Sequence, residues 1–120
     1  MLFKFYKYQG AGNDFILIDN RSKQFPEYNP QLYNKLCDRR FGIGADGIML
    51  LENIDNFDFK MLYYNADGNE STMCGNGGRC LVRFAEDLKM IQSECHFLAV
   101  DGPHYAKISE NEIELGMIDV

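Results

Sequence analysis

The sequence has 120 residues, of which 46% are hydrophobic, so it is long enough for one domain with a buried core and too apolar to remain disordered. Its 18 acidic and 12 basic side chains give a formal net charge of -6, which disfavours nucleic acid or an anionic membrane as a partner, because both bind basic surfaces. Because no apolar run approaches the roughly 20 residues that cross a bilayer, and the N-terminus has no signal-peptide core, we expect a cytoplasmic protein with reduced cysteines.

The first half of the chain predicts strands around one helix. Apolar or alternating segments predict four strands, at residues 3–8, 15–19, 48–51 and 57–64. Between the second and third strands, Asn29 is suited to cap a helix and Pro30 to occupy its first position, and this helix is predicted to extend to about Arg40.

The second half begins with the clearest helix of the chain, predicted at residues 79–92. Its apolar face consists of Cys80, Leu81, Phe84, Leu88 and Ile91. The tail from residue 95 predicts three short strands. This order of strands, helix, strands, long helix and strands predicts the α+β class, with a mainly antiparallel sheet around a central helix.

Three glycines, at positions 42, 44 and 47, match the G-x-G-x-x-G pattern of dinucleotide-binding loops. Such a loop has to leave a strand and open a helix, whose N-terminus holds the pyrophosphate. Here the segment leaves the predicted first helix and leads into a strand. We therefore reject dinucleotide binding and interpret the glycines as allowing a tight connection with positive φ angles.

The four cysteines are not equivalent. They include no C-x-x-C pair, so the sequence disfavours a zinc site. Cys37, Cys80 and Cys95 are interpreted as core residues. Cys74 instead precedes a glycine-rich segment at the start of the long helix, where unpaired backbone N–H groups and the helix dipole favour a thiolate. From the residues alone, a reactive thiol and an incidental cysteine both remain open for Cys74.

Four glycine- and asparagine-containing motifs follow one another from the start of the chain to the long helix. They are GAGNDF at 10–15, RFGIGADG at 40–47, NADG at 65–68 and CGNGGRC at 74–80. In sequence, order and spacing they resemble the motifs of the diaminopimelate epimerase family. The resemblance implies a curved sheet wrapped around a central helix, in a single domain over residues 1–120.

The resemblance also implies a site at the start of the long helix. Enzymes of this family invert an α-carbon without pyridoxal phosphate or metal: one cysteine thiolate removes the α-proton, and a second cysteine donates a proton to the other face. Cys74 is expected to be one member of that pair. Gly75 and Asn76 are expected to bind the α-carboxylate, and Asn13 and Asn65 to be substrate-binding amides. From the residues alone, either of these last two asparagines also suits a cap or a turn.

Two features depart from the family pattern. Some members carry a glutamine at the Gly47 position and use it on the substrate, so Gly47 is left out of the expected site. Family members are also roughly twice as long, which implies that the C-terminal domain, with the second cysteine, is absent from these residues and that the chain is inactive alone. A further hypothesis is a homodimer in which two Cys74 thiols face each other across the exposed cleft faces.

The function implied by the resemblance is epimerisation of LL-diaminopimelate to meso-diaminopimelate, a step towards lysine and peptidoglycan precursors. The expected partners are this small molecule and the missing C-terminal half of the enzyme. Two alternatives stay open. One is another cofactor-independent reaction on the same fold, such as that of proline racemases or phenazine-pathway isomerases. The other is a non-catalytic truncated module.

Overall fold

A computed structural model describes residues 4–10, 12–23, 25, 29–71, 75–109 and 113–116, and in these residues seven strands and two helices alternate along the chain. Their bounds are β1 Tyr6–Gly10, β2 Asn13–Asp19, α1 Pro30–Cys37, β3 Gly47–Glu52, β4 Phe59–Asn65, α2 Gly75–Asp87, β5 Glu94–Ala99, β6 Gly102–Ile108 and β7 Ile113–Gly116. The predicted α+β class is confirmed. Neither α1 nor α2 is long and apolar enough to cross a membrane.

The strands form one sheet in which spatial order follows chain order from β1 to β7. The β2–β3 and β4–β5 pairs are parallel, and their connections contain α1 and α2, as parallel pairing requires a crossover. The remaining neighbours pair antiparallel, so the mainly antiparallel sheet is also confirmed. Since α2 contacts β1, β2 and β3 as well as β7, the sheet curls around this helix from both ends.

Two hydrophobic cores lie on the two faces of the sheet. On the face towards α2, Leu81 and Phe84 of the helix pack in one cluster with strand residues such as Phe15, Met49 and Phe97. The opposite core consists of the alternate residues of β2 and β3, packed against the face of α1: Ile16, Ile18, Ile48, Leu50, Tyr33 and Cys37. Burial on both faces explains why β2 and β3 are apolar runs and not alternating sequences.

The three cysteines that the sequence assigns to the core are buried. Cys37 lies in the core under α1, and Cys80 and Cys95 lie in the core around α2. Burial raises the pKa of Cys37 to about 11 and that of Cys95 to about 12, because a thiolate is poorly solvated there. Their interpretation as core residues is confirmed.

Both helices have bounds that differ from those predicted. Helix α1 ends at Cys37 and not near Arg40, because the Asp38 carboxylate accepts hydrogen bonds from the backbone N–H groups of Arg40 (2.7 Å) and Phe41 (3.0 Å) and turns the chain. Helix α2 begins at Gly75 and ends at Asp87, against a predicted 79–92. Beyond its end, Lys89 has a φ of 62°, which no α-helix accommodates.

The glycine-rich segment at residues 38–46 leaves helix α1 and leads into strand β3, the reverse of the order in a dinucleotide-binding loop. The structure therefore agrees with our rejection of dinucleotide binding. Two glycines have physical reasons to be there. A Cβ at Gly42 would lie 2.1 Å from the carbonyl oxygen of Lys35, and Gly44 has a φ of +84°. The segment therefore folds tightly against the C-terminus of α1 and places Asp46 directly before the start of strand β3.

Candidate active site

Polar residues from three strands meet at one end of the sheet. The strand register aligns Phe15 of β2 with Gly47 of β3, and Gly47 with Asn65 of β4. Consequently Asn13, which begins β2, and Asn65, which ends β4, lie at this same end of the sheet. We call it the site end.

Helix α2 also reaches the site end, because Arg79 lines a cavity together with Gly10, the strand partner of Asn13. The backbone N–H of Ser71 donates to the carbonyl oxygen of Tyr63, two residues before the end of β4, at 2.9 Å. Helix α2 begins four residues later, at Gly75. In any α-helix the first N–H groups have no acceptor within the helix, so the start of α2 offers hydrogen-bond donors and the positive end of a dipole.

Asp46 connects the strands at the site end. Its backbone N–H donates to the carbonyl oxygen of Asp14 at 2.9 Å, and its own carbonyl oxygen accepts from the N–H of Ala66 at 3.1 Å. Its carboxylate accepts two further bonds at Oδ2, from the N–H of Asp14 at 3.0 Å and from Nδ2 of Asn13 at 3.2 Å. One residue thus contacts both the start of β2 and the residue that follows Asn65.

Two cations balance the two aspartates there. Nη1 and Nη2 of Arg39 donate to the two carboxylate oxygens of Asp14, at 3.1 and 2.8 Å, and Nη2 also reaches Oδ1 of Asp46 at 3.1 Å. Nζ of Lys7 lies 3.0 Å from Oδ2 of Asp14. The hydrogen bonds from Arg39, assisted by Lys7, hold the pKa of Asp14 well below its usual range. In turn Asp14 raises the pKa of Arg39.

An open cavity of about 340 Å³ borders this network. Its walls are the side chains of Asp14, Arg39 and Asp46 together with Gln9, Asn13 and the glycines Gly10 and Gly12. Charged groups and amides dominate this lining, so the cavity suits a small, zwitterionic ligand better than an apolar one.

The structure describes most, but not all, of the residues expected at the site. Asn13 and Asn65 are both exposed and lie at the site end. Gly75 and Asn76 form the first turn of α2, where the backbone is described. Cys74 lies outside the described residues, so its role stays a prediction.

Three residues of the site end are not among the site residues predicted from the sequence: Asp14, Arg39 and Asp46. Asp14 and Asp46 do carry a local signal, since Asp14 directly precedes a strongly apolar run and Asp46 is separated from one by Gly47 alone. Arg39 carries none, because its contact with Asp14 spans 25 residues of chain.

The fold places the chain in a class of α+β domains in which a sheet curls around a helix. Solved structures of this class include a phenazine biosynthesis PhzF-family protein of Enterococcus faecalis, with a TM-score of 0.73 and 13% identity over 94% of this chain and 43% of that chain. A methylitaconate-delta-isomerase structure gives a TM-score of 0.71 and 11% identity over 90% of this chain and 35% of that chain. At such identities the likeness concerns the fold alone.

Within this class, the chain belongs to the diaminopimelate epimerase family, whose model matches residues 5–117. The chain is 66% identical, over 110 residues, to a diaminopimelate epimerase of Flavobacterium psychrophilum, and the match covers 92% of this chain and 43% of that relative. It is 47% identical, over 94 residues, to a chloroplastic diaminopimelate epimerase of Oryza sativa subsp. japonica, covering 78% of this chain and 27% of the relative. The chain thus spans less than half the length of these relatives.

Proposed function

We propose that the chain supplies the N-terminal half of a diaminopimelate epimerase site, in which Cys74 exchanges the α-proton of the substrate without a cofactor. The observation that carries the proposal is that Asn13 and Asn65 lie at one end of the sheet in a chain of the diaminopimelate epimerase family. Helix α2 reaches the same end, where Arg79 lines a cavity with Gly10. The substrate would be LL-diaminopimelate, and the product meso-diaminopimelate.

The start of α2 supports the proposed role of Gly75 and Asn76. A carboxylate bound there would meet the backbone N–H groups of Gly75 and Asn76, at the positive end of the helix dipole. As the α-proton leaves, negative charge builds on the α-carbon and its carboxylate. Fixed N–H groups aimed at that carboxylate stabilise the charge without reorganising, which lowers the barrier to proton removal.

The contrast between cysteines supports Cys74 as the acid–base residue. Cys37 and Cys95 are buried, with pKa values raised to about 11 and about 12, so neither forms a thiolate near neutral pH. Cys74 directly precedes the first residue of α2, and a helix N-terminus lowers the pKa of a thiol. In the proposed reaction, the thiolate of Cys74 takes the α-proton and becomes a thiol, or the thiol gives up its proton to the opposite face of the carbanion.

Asn13 and Asn65 are proposed to bind the polar groups of the substrate. Both are exposed at the site end, and Asn13 borders the polar cavity there. Diaminopimelate carries two ammonium and two carboxylate groups, and an amide offers both a donor and an acceptor to such groups.

The remaining part of the site is proposed to come from a second half like that of the longer relatives, which would contribute the other cysteine. In this proposal the 120 residues do not epimerise alone, and the protein acts in the cytoplasm, where its thiols stay reduced. Pairing of two copies, with two Cys74 thiols facing each other, is a second way to complete the site. Sedimentation at high concentration distinguishes the two, because a strict monomer contradicts the paired form.

The test is exchange of the α-proton of LL-diaminopimelate in deuterated water, followed by NMR with reduced protein. The chain is measured alone and after a C-terminal half from a relative has been added. We expect exchange that depends on Cys74 once the site is complete, and its loss in Cys74→Ala.

Cys80→Ala is the matched control, because Cys80 is the next cysteine along the chain and is buried in the core around α2. It should keep the exchange activity. Exchange that survives Cys74→Ala would contradict the role of Cys74. No exchange in the completed protein would contradict the proposed function as a whole and favour a non-catalytic module.

A further inference from the structure

We propose that Arg79, one turn into helix α2, binds a carboxylate group of the ligand and makes the site end select carboxylates. The inference rests on the proposed function, since it takes the start of α2 as part of the substrate site. The residues expected there from the sequence are Cys74, Gly75 and Asn76, and none of these carries a positive charge. Arg79 would add one.

Among the five arginines of the chain, Arg79 is distinguished by its lack of a partner. Three others form ion pairs, with these acids: Arg21 with Asp19, Arg39 with Asp14 and Asp46, and Arg83 with Glu86. The fourth, Arg40, lies over the ring of Phe41. Arg79 is exposed and forms no hydrogen bond or ion pair within the part of the chain that the structure describes. Its charge is therefore available to a ligand.

Arg79 lines an open cavity of about 250 Å³. The other walls come from β1, from β7 and from α2 itself: Tyr8, Gln9, Gly10, Ile113, Cys80 and Arg83. Gly10 is the strand partner of Asn13, so the cavity reaches the site end. Because apolar walls adjoin a guanidinium, the cavity suits a carboxylate on a hydrocarbon chain.

The acidic side chains of α2 do not neutralise Arg79. The helix contains two of them, Glu86 and Asp87. Glu86 accepts from Nη1 of Arg83 at 2.5 Å, and Asp87 accepts a hydrogen bond from the hydroxyl of Tyr8. Both also lie two turns along the helix from Arg79, an axial rise of about 10–12 Å. The positive charge of Arg79 is therefore not compensated from its own helix.

Helix geometry directs Arg79 towards the start of α2. Side chains of an α-helix tilt towards its N-terminus, and residues four apart lie on one face. Arg79 follows Gly75, the first residue of α2, by four positions, which is a rise of about 6 Å. A carboxylate held at the backbone N–H groups of Gly75 and Asn76 would thus lie within reach of an extended Arg79 side chain.

The chemistry of the guanidinium restricts what Arg79 can bind. A guanidinium has five N–H donors and no acceptor, and it stays protonated in proteins. A carboxylate matches it, because two parallel N–H donors fit its two oxygens, whereas an ammonium group is repelled. Arg79 would therefore favour the end of a ligand that carries a carboxylate, and diaminopimelate carries one at each end.

The experiment is an NMR titration of the 120-residue chain, in which the Nε–Hε signals of Arg79 and Arg40 are followed. Three probes differ in charge. They are LL-diaminopimelate, pimelate, which is the same diacid without ammonium groups, and 1,5-diaminopentane, which keeps the ammonium groups and lacks the carboxylates. We expect diaminopimelate and pimelate to shift the Arg79 signal, and 1,5-diaminopentane to leave it unchanged.

Two substitutions of Arg79 separate its charge from its shape. Arg79→Gln should weaken the binding of pimelate roughly ten-fold, the effect of losing one charged hydrogen bond. Arg79→Lys should weaken it roughly three-fold, because an ammonium group keeps the charge but not the planar pair of donors. Since Arg79 is exposed and has no described partner, both variants should unfold in urea like the unaltered chain.

The matched control is Arg40→Gln, which removes the same charge from a guanidinium that lies over Phe41. It should bind pimelate like the unaltered chain. If Arg40→Gln and Arg79→Gln weaken binding to the same extent, the effect is one of net charge and the inference is overturned. An Arg79 signal that responds to no probe, or to the diamine as well as to the diacid, also overturns it.

The proposed function is tested separately by exchange at Cys74. If the chain binds carboxylates through Arg79 but the completed protein never exchanges the α-proton, the proposed function alone is contradicted. If the completed protein exchanges the α-proton and Arg79→Gln leaves the KM for diaminopimelate unchanged, this inference alone is contradicted.

Discussion

Two asparagine–carboxylate pairs lie at opposite ends of strands β2 and β3. At the site end, Nδ2 of Asn13 donates to Asp46 at 3.2 Å, and both side chains are open to solvent. At the other end, Nδ2 of Asn20 donates to Glu52 at 2.6 Å, and these residues are only 5% and 6% exposed. The same type of hydrogen bond, from an amide to a carboxylate, thus occurs once at the solvent-exposed surface and once in the buried core.

The surroundings decide what each pair contributes. Asn20 also accepts from the N–H of Phe25, and Glu52 is paired with Lys23, so the buried pair fastens the chain after β2 onto the end of β3. A buried polar group without a partner is costly, whereas a solvated one can return to water. The buried pair therefore contributes to stability, and the exposed pair contributes little to stability and remains able to meet a ligand.

The largest expected effect comes from breaking the buried pair. Asn20→Ala removes the bonds to Glu52 and to the N–H of Phe25, and leaves both partners in the core without them. We expect the free energy of unfolding in urea to fall by about 2–4 kcal/mol, and that of the matched variant Asn13→Ala to change by less than about 0.5 kcal/mol. Equal losses of unfolding free energy in the two variants would show that burial does not determine how much each pair contributes to stability.

A smaller effect is expected from the backbone that carries Asp46. Gly44 has a φ of +84°, so Gly44→Ala should destabilise the chain by about 1–2 kcal/mol. Gly44→Asn should cost less, because asparagine adopts positive φ more readily than alanine. Both are measured by urea unfolding. If the alanine variant is as stable as the asparagine variant, the site end does not depend on this backbone conformation.

The smallest effect concerns the charges of the site end. The hydrogen bonds from Arg39 keep the folded-state pKa of Asp14 below its unfolded value of about 3.9. The stability that this shift contributes is present above about pH 4 and is lost as the pH falls through the folded-state pKa. Arg39→Gln should raise the pKa of Asp14, so the stability gap between this variant and the unaltered chain should narrow on acidification.

The Asp14 titration is followed by carboxyl NMR and by unfolding at pH 7 and pH 2. Arg40→Gln is the control, since Arg40 lies over the ring of Phe41, 5.5 Å from its centroid, and makes no described bond to Asp14. A titration of Asp14 that Arg39→Gln leaves unchanged would contradict the assignment of the shift to this guanidinium.

Local patterns predicted the strands and the central helix well because apolar spacing determines which face is buried. They failed at the helix ends. The first turn of α2 contains Gly75, Gly77 and Gly78, which give no amphipathic signal, so the sequence pattern predicts a start at residue 79. The pattern also predicts too late an end, because Ile91, which lies beyond the helix, is buried in the same core.

Some residues of the site, likewise, could be predicted from the sequence and others could not. The resemblance pointed to Asn13 and Asn65, and the register of β2, β3 and β4 explains why residues so distant in sequence lie at one end of the sheet. Arg39 could not be found from local pattern. Its role depends on where residues 38–46 lie once α1 has packed on the sheet, and that is a tertiary property.

The strand order of the sheet has a consequence for how the chain folds. Because the seven described strands neighbour each other in the order of synthesis, each of them from β2 onwards can dock on the one before it. Helix α2, however, contacts both β1 and β7. We therefore expect sequential growth from the N-terminus, in which the hydrophobic surface of the central helix that faces β7 is covered only when β7 docks.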